Sequence, residues 1–439
     1  MSPSPAQRAT ACRTASRALV AAGGAARSAA LRRIAEALLD HRASLLEANR
    51  IDVDASAHDV RTGEASAAMA ARLPLTERKL TALADGCRAL ADRGDPVGQV
   101  VGARELAPGL VLTQRTVPLG VLLIIFEARP DALPQITSLA LRSGNGLLLK
   151  GGREARHSCR ALHAVITEAM DPLPAEAVQL LEGRDTVTEL LALDDRIDLV
   201  IPRGSNQLVR HIQANTRIPV LGHADGICHV YVHPDVDEAM ARAIVRDSKT
   251  DYPAACNAME TLLLHRDTIA SGLAVAVLDE LRTAGVALHG AHGAFDLPPP
   301  PALAHEYGDL AATVAVVDDV DAAIRWVNTH GSGHTDAIVT ADEAVAQRFV
   351  DGVDDAAAFH NCSTRFADGY RFGLGAEVGI STSRIHARGP VGVEGLLTTQ
   401  YVLRGHGDVV APFSAGQRQF THRELPTPAA APPGAARDR

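Results

Sequence analysis

Between Gly120 and Ile201 the chain alternates short apolar runs with amphipathic ones, and this rhythm restricts the fold more than any single residue. Gly120–Phe126, Gly146–Lys150, Ala177–Leu181 and Leu199–Ile201 read as strands, the first apolar enough to be covered on both faces. Between them, Leu133–Arg142, Ala155–Met170 and Thr186–Leu193 carry apolar residues at helical spacing. Strand and helix in alternation predict an α/β, doubly wound parallel sheet of Rossmann type. The rhythm resumes with strands at Leu262–His265, Thr313–Val317 and Ala337–Thr340. Helices are expected at Ile269–Ala284, Ala322–Thr329 and Glu343–Val350, so a second α/β unit is predicted.

Ahead of the first sheet, Thr10–Arg93 reads as helices, and Leu110–Val117 alternates like a half-exposed strand. Pro298–Pro301 marks a surface loop, and the tail from 416 to 439, above all Pro426–Arg439, is expected to lack fixed structure. At 439 residues the chain is long enough for two or three domains, and a hydrophobic fraction of 46% with 3% aromatics implies a core of aliphatic side chains. Its apolar runs are much shorter than the roughly 20 residues of a spanning helix, and no signal segment opens it, so no membrane association is expected.

A net charge of -9 without a Lys/Arg block argues against nucleic acid as a partner. Six cysteines stand singly, which suits free thiols in a reducing cytoplasm. The 18 histidines show no His-Glu-x-x-His spacing, and no metal is expected.

Tyr252–Thr261 is a proline-punctuated turn with one cysteine, Cys256, placed between an expected helix (Glu238–Ser248) and a buried strand. A thiolate on such a connection can attack an acyl carbon and form a covalent intermediate, although free cysteine is also a common small core hydrophobe. Two strand ends in the first unit suit a nucleotide. Lys150-Gly151-Gly152-Arg153 lets a ligand approach the backbone between two cations, and Pro202-Arg203-Gly204-Ser205-Asn206 opens a helix whose free N–H groups favour phosphate. Neither has Gly-x-Gly-x-x-Gly spacing, and each is also readable as an ordinary capped turn.

Ordered segments along nearly the whole chain carry a resemblance. They are Pro118–Val121, Phe126–Pro130, Ser143–Asn145, Asp225–Val232, Cys256–Thr261, Gly331–Thr335 and Gly375–Thr382. The chain resembles the gamma-glutamyl phosphate reductase (glutamate-5-semialdehyde dehydrogenase) family, and also the reductase half of the pyrroline-5-carboxylate synthases, with no amino-acid kinase half in this sequence. The resemblance implies an aldehyde dehydrogenase-like fold: an NADP-binding domain over 1–226 with arm strands at about 100–118, a catalytic domain over 227–390, and a return segment with an oligomerisation strand over 391–415. It implies NADPH-dependent reduction of L-glutamyl 5-phosphate to the 5-semialdehyde and phosphate, the second step of proline biosynthesis, through a thioester on Cys256. A homo-oligomer and a glutamate 5-kinase partner are implied as well. The alternatives are a hydrolytic or CoA-acylating aldehyde dehydrogenase, or a catalytically idle partner of a glutamate kinase.

In that pattern, His223-Ala224-Asp225-Gly226 matches the segment that carries the water-activating glutamate of hydrolytic relatives, and no glutamate stands there. A reductase gains by keeping water from its thioester. Lys150 and Arg153 match the adenosine-ribose pair, and an arginine in place of an acid favours NADPH over NADH, unless Arg153 merely faces solvent. Glu306 matches the nicotinamide-ribose acid, or is a solvated loop residue. Asp131 stands where the fold commonly uses an asparagine for the oxyanion, a place its charge does not suit, so Asn257 is the better donor, by backbone or side chain. Arg129 and Arg365 are candidates for the substrate carboxylate or acyl phosphate, and equally for structural ion pairs. His334 is either a substrate contact or part of a structural turn.

Overall fold

The structure, a computed structural model, describes residues 3–63, 67–183, 186–223 and 225–427. Its contacts divide the chain into two units. One holds the chain up to Leu221, Gly375–Val378 and the chain from Val391 on; the other holds Gly222–Leu374 and Gly379–Pro390.

The first unit opens with helices Pro5–Ala21, Gly23–Asp40, Arg42–Thr62 and Glu77–Asp92. The first begins before Thr10, where the Ser4 hydroxyl and the Gln7 side chain cap each other's backbone N–H groups. Strands β1 (Val100–Ala107) and β2 (Leu110–Pro118) form an antiparallel hairpin. Next come β3 (Val121–Phe126), β4 (Gly146–Gly151), β5 (Val178–Leu181) and β6 (Leu199–Arg203), a parallel sheet in the order β5-β4-β3-β6. Every residue of β3 is buried, as the apolar run predicts. Alternate residues Val121, Leu123 and Ile125 pack with Ala9 and Cys12 of the first helix and with Leu190 and Ile212 beyond the strands. Helices Ala132–Ser143 and Arg156–Ala169 pack against β4 and β5.

The second unit is a six-stranded parallel sheet built from β7 (Cys228–Val232), β8 (Met259–His265), β9 (Ala287–Gly290), β10 (Ala311–Val317), β11 (Thr335–Val339) and β12 (Ala357–His360). Their order is β12-β11-β7-β8-β10-β9. Neighbouring residues sort to opposite faces with the strand period of two. Val230, Leu262, Leu264 and Val314 pack beneath helices Glu238–Thr250 and Leu273–Thr283. Tyr231, Leu263 and Ala315 pack with Ala323, Val327 and Phe349 of helices Val320–His330 and Glu343–Gly352. The single helix expected over Ile269–Ala284 is two, Asp267–Ala270 and Leu273–Thr283, because Gly272 takes φ +84°. Strands β7, β9 and β12 are not among those expected from the sequence; β9 and β12 are four-residue edges with one large apolar residue each. A small pair, β13 (Ile380–Ser381) and β14 (Gly389–Pro390), completes the unit.

Back in the first unit, β15 (Leu397–Arg404) lies along β2, and β16 (Arg423–Glu424) pairs with β1, giving an antiparallel sheet β15-β2-β1-β16. The tail expected to lack structure from 416 therefore contributes a strand; 428–439 lie outside the described residues. No helix among the described residues is long and apolar enough to cross a membrane.

Candidate active site

In the first unit the carboxyl end of β4 opens into a cleft of 460 Å³ lined by Lys150, Gly152, Arg153 and Arg156, with Glu127 and Glu154 among the acids beside them. The structure thus brings together Lys150 and Arg153, the pair expected around the adenosine ribose, and Gly152 between them. Lys150 is half-buried, its Nζ donates to the Gly151 carbonyl at 2.8 Å, and burial lowers its pKa; Arg153 is exposed. A Cβ on Gly152 would come 2.0 Å from Glu154 Oε1, so a larger residue there would have to push that carboxylate aside. That oxygen accepts the Ala128 N–H at 2.6 Å, in a turn after β3 where Ala128 takes the left-handed φ of +47°.

At the end of β6 the helix Asn206–Ala214 begins as expected, with the Ser205 hydroxyl accepting the Leu208 N–H. The anion at its N-terminus is internal: Glu127 Oε2 accepts the Ser205 N–H at 2.9 Å, and a Cβ on Gly204 would meet the same oxygen at 2.4 Å. The Glu127 N–H in turn donates to the carbonyl of Arg203, the remaining residue of this loop expected at the cofactor. Sequence reasoning gave Glu127 and Glu154 no role. Arg129 and Asp131 follow β3 in this same unit, Arg129 half-buried and Asp131 just before the helix Ala132–Ser143, without a side-chain cap bond.

The second unit holds Cys256, half-exposed on a turn closed by Ala255 N–H to the Tyr252 carbonyl at 3.0 Å and Ala258 N–H to the Ala255 carbonyl at 2.9 Å. Three segments meet at it, all entering the amino ends of strands: Gly226 before β7, Cys256 before β8, and His334 before β11. A Cβ on Gly226 would lie 2.2 Å from the Cys256 carbonyl oxygen, so only glycine allows the approach. The Ile227 N–H donates to the Ser332 hydroxyl at 2.9 Å, tying the first segment to the third.

A ring nitrogen of His223, one of His334 and Cys256 Sγ all lie within 4.8 Å of one another. His223 Nδ1 is 2.8 Å from the Ile380 carbonyl, which can only accept, so Nδ1 carries the proton of the neutral ring and Nε2 the lone pair. His334 is fully buried, with Nδ1 2.9 Å from the Thr335 hydroxyl and 3.7 Å from Cys228 Sγ. The structure thereby brings His334 to the cysteine and adds His223, which opens the segment noted in the sequence only for its lack of a glutamate. Each of the other five thiols is pushed up by burial, Cys12 to about 12.

Asn257 follows in the same turn, but its side-chain amide donates to the carbonyls of Ala367 at 2.9 Å and Arg365 at 3.4 Å. Of the two donors expected from Asn257, the side chain is committed elsewhere. Arg365 is buried and its Nε donates to Asp251 Oδ2 at 3.1 Å, the ion-pair reading of this residue. Glu306 sits half-buried in the loop before β10. That loop is anchored by Glu260, whose carboxylate accepts the Tyr307 and Gly308 N–H groups and the Lys249 ammonium at 2.9 Å. Lys249 and Glu260 are both wholly buried.

Residues 4–286 match the aldehyde dehydrogenase family. The chain is 51% identical over 410 residues to the gamma-glutamyl phosphate reductase of Synechococcus sp. (strain JA-3-3Ab), covering 91% of this chain and 90% of that protein. It is 52% identical over 424 residues to the delta-1-pyrroline-5-carboxylate synthase of Mesembryanthemum crystallinum, covering 95% of this chain but spanning 58% of that relative's length. The crystal structure of gamma-glutamyl phosphate reductase from Thermotoga maritima superposes with a TM-score of 0.87 at 35% identity, over 93% of this chain and 100% of that one. With its two parallel sheets and a half-exposed cysteine between helix and strand, the chain belongs to the aldehyde dehydrogenase family, whose oxidoreductases use a nicotinamide cofactor, and within it to the branch of the gamma-glutamyl phosphate reductases.

Proposed function

We propose that this chain reduces L-glutamyl 5-phosphate to L-glutamate 5-semialdehyde and phosphate with NADPH, the second step of proline biosynthesis from glutamate. The observation that carries the proposal is Cys256, half-exposed on its turn with two imidazoles beside it, in a chain half identical to a protein named for this reduction. The Cys256 sulfur attacks the acyl carbon, and its proton passes to His223 Nε2, the nitrogen left with a lone pair by the Ile380 carbonyl. The Asn257 backbone N–H receives the developing oxyanion, since the Asn257 side chain is occupied. Phosphate leaves, and the acyl group remains on sulfur as a thioester. The nicotinamide, when bound, supplies the hydride that releases the aldehyde.

For that cofactor, the cations and glycines of the β4 cleft are chemically suited. Lys150, Gly152 and Arg153 would hold the adenosine ribose and its 2'-phosphate, Arg203, Gly204 and Ser205 the diphosphate, and Glu306 the nicotinamide ribose. Arg129 is the remaining candidate for the substrate's anions, because Arg365 is paired with Asp251. The exposed edge of β15, with Tyr401 and Leu403 outward, supports a homo-oligomer. The relatives that continue well beyond this chain's length support a partnership with the kinase that makes the acyl phosphate, and the six free thiols suit a reducing cytoplasm.

The test is reduction of NADP by glutamate semialdehyde with and without phosphate, beside Cys256→Ala. Phosphate-dependent turnover that disappears in Cys256→Ala is expected. Turnover without phosphate would instead make the chain a hydrolytic dehydrogenase.

A further inference from the structure

We propose that Cys256, His223 and His334 form a binding site for a thiophilic divalent cation such as Zn²⁺, and that its occupation withdraws the nucleophile reversibly. The donor set is one sulfur and two imidazoles, the ligand chemistry zinc prefers, with a fourth position left open. The three donor atoms already lie within 4.8 Å of one another. Tetrahedral zinc, with bonds of about 2.0–2.3 Å, holds its ligands roughly 3.5 Å apart, so a shift of about 1 Å per side chain completes the site. Cys256 and His223 both stand on irregular segments between regular elements, where such a shift is cheap.

Two further observations point to a ligand. His334 is fully buried, its Nδ1 is taken up by Thr335 and Cys228, and its Nε2 has no hydrogen-bond partner among the described residues. A buried ring nitrogen with no hydrogen-bond partner, beside a thiol, is a position from which the imidazole can ligate a metal once its one proton stands on the other nitrogen. His223, for its part, donates Nδ1–H to the Ile380 carbonyl, the outer contact that orients most metal-bound imidazoles and raises their basicity. These donors come from segments far apart in the sequence, which is why histidine spacing gave no reason to expect a metal. On binding, the Cys256 thiol proton leaves to solvent and a sulfur–metal bond takes its place, with no change of oxidation state.

The binding does not depend on the proposed reaction; only the loss of turnover rests on Cys256 being its nucleophile. The full chain, freed of metal, is titrated with Co²⁺ alone and then Zn²⁺ alone. Expected are one equivalent bound, a thiolate-to-cobalt charge-transfer band that Zn²⁺ displaces, and protection of Cys256 from iodoacetamide that a chelator reverses. His223→Asn is expected to weaken binding by about tenfold or more, and Cys256→Ser to abolish the band. Absence of the band in the intact protein, or undiminished alkylation of Cys256 at saturating Zn²⁺, overturns the site whatever the variants do. A band in a protein that shows no metal-free turnover leaves the site standing and removes the proposed reaction instead.

Discussion

Glu127 sets its carboxylate 2.9 Å from the backbone nitrogen of Ser205, so the N-terminus of the helix Asn206–Ala214 already holds an anion of the protein's own. A cofactor diphosphate coming to this helix must displace or repel that charge. Glu127→Gln keeps the shape and removes the charge. A carboxylate at a helix N-terminus interacts by about 0.3–1 kcal/mol, so NADP should bind roughly twofold to fivefold more tightly in this variant. Fluorescence titration of NADPH checks it; unchanged or weaker binding would place the diphosphate elsewhere.

Arg153 is exposed in the β4 cleft, next to the half-buried Lys150. If its guanidinium reads the 2'-phosphate, Arg153→Ala should lower affinity for NADPH by about tenfold, the scale of one charge-assisted hydrogen bond in partial contact with water. Affinity for NADH should stay as it was. Equal losses for both cofactors would mean that Arg153 only supports the loop.

Gly226 lies against the cysteine turn, where an added methyl meets both the carbonyl oxygen and the Cα of Cys256. Gly226→Ala should destabilise the fold by about 1–3 kcal/mol through overpacking and shift the thiol. Cys256 is also the thiol expected to react first with iodoacetamide in the folded protein, since burial raises the other five. Mass mapping of early alkylation reads both effects. A wild-type protein modified first at another cysteine, or a variant with unaltered Tm and labelling rate, contradicts this packing.

Beneath the site, His229 and Asp336 are wholly buried, with Nδ1 2.8 Å from Oδ1, and Asp355 adjoins them. Burial pushes both carboxyls up, Asp355 further because Asp336 repels its charged form, with His229 and Arg388 opposing weakly. Burial also lowers His229 to about 4. An acid whose folded pKa lies above its unfolded one favours the fold at low pH and loses that contribution as pH rises. Wild-type stability should therefore fall from about pH 4 towards pH 7 through Asp336, raised to about 7, and on towards pH 10 through Asp355, raised to about 10, while His229 acts in the opposite sense on the acid side. In Asp355→Asn the alkaline fall should lessen by up to about 1.4 kcal/mol per pH unit, one proton's worth. Urea unfolding at several pH values measures the slope, and identical slopes for the two proteins would mean that Asp355 is ionised when folded.

The repeating elements were legible because their causes are local. A short all-apolar run such as Val121–Phe126, set between turn signals, reads as a strand covered on both sides, and Cys256 falls on a turn because Pro253 interrupts the helix before it and Met259 starts a buried strand. Pairings of side chains were not legible, because parallel sheets order their strands out of sequence. With β11 beside β7 and β7 beside β8, the segments before those strands converge, and His223 and His334 reach Cys256; with β3 beside β6, Glu127 reaches Ser205. The same tertiary packing gave Arg365 to Asp251 and the Asn257 amide to Ala367, narrowing what local chemistry had left open for both. By itself the sequence determined most of the elements and where a half-exposed thiol stands; strand order decided which charges and imidazoles surround it, because donors fixed on neighbouring strands are brought within a few ångströms at no further cost in chain entropy.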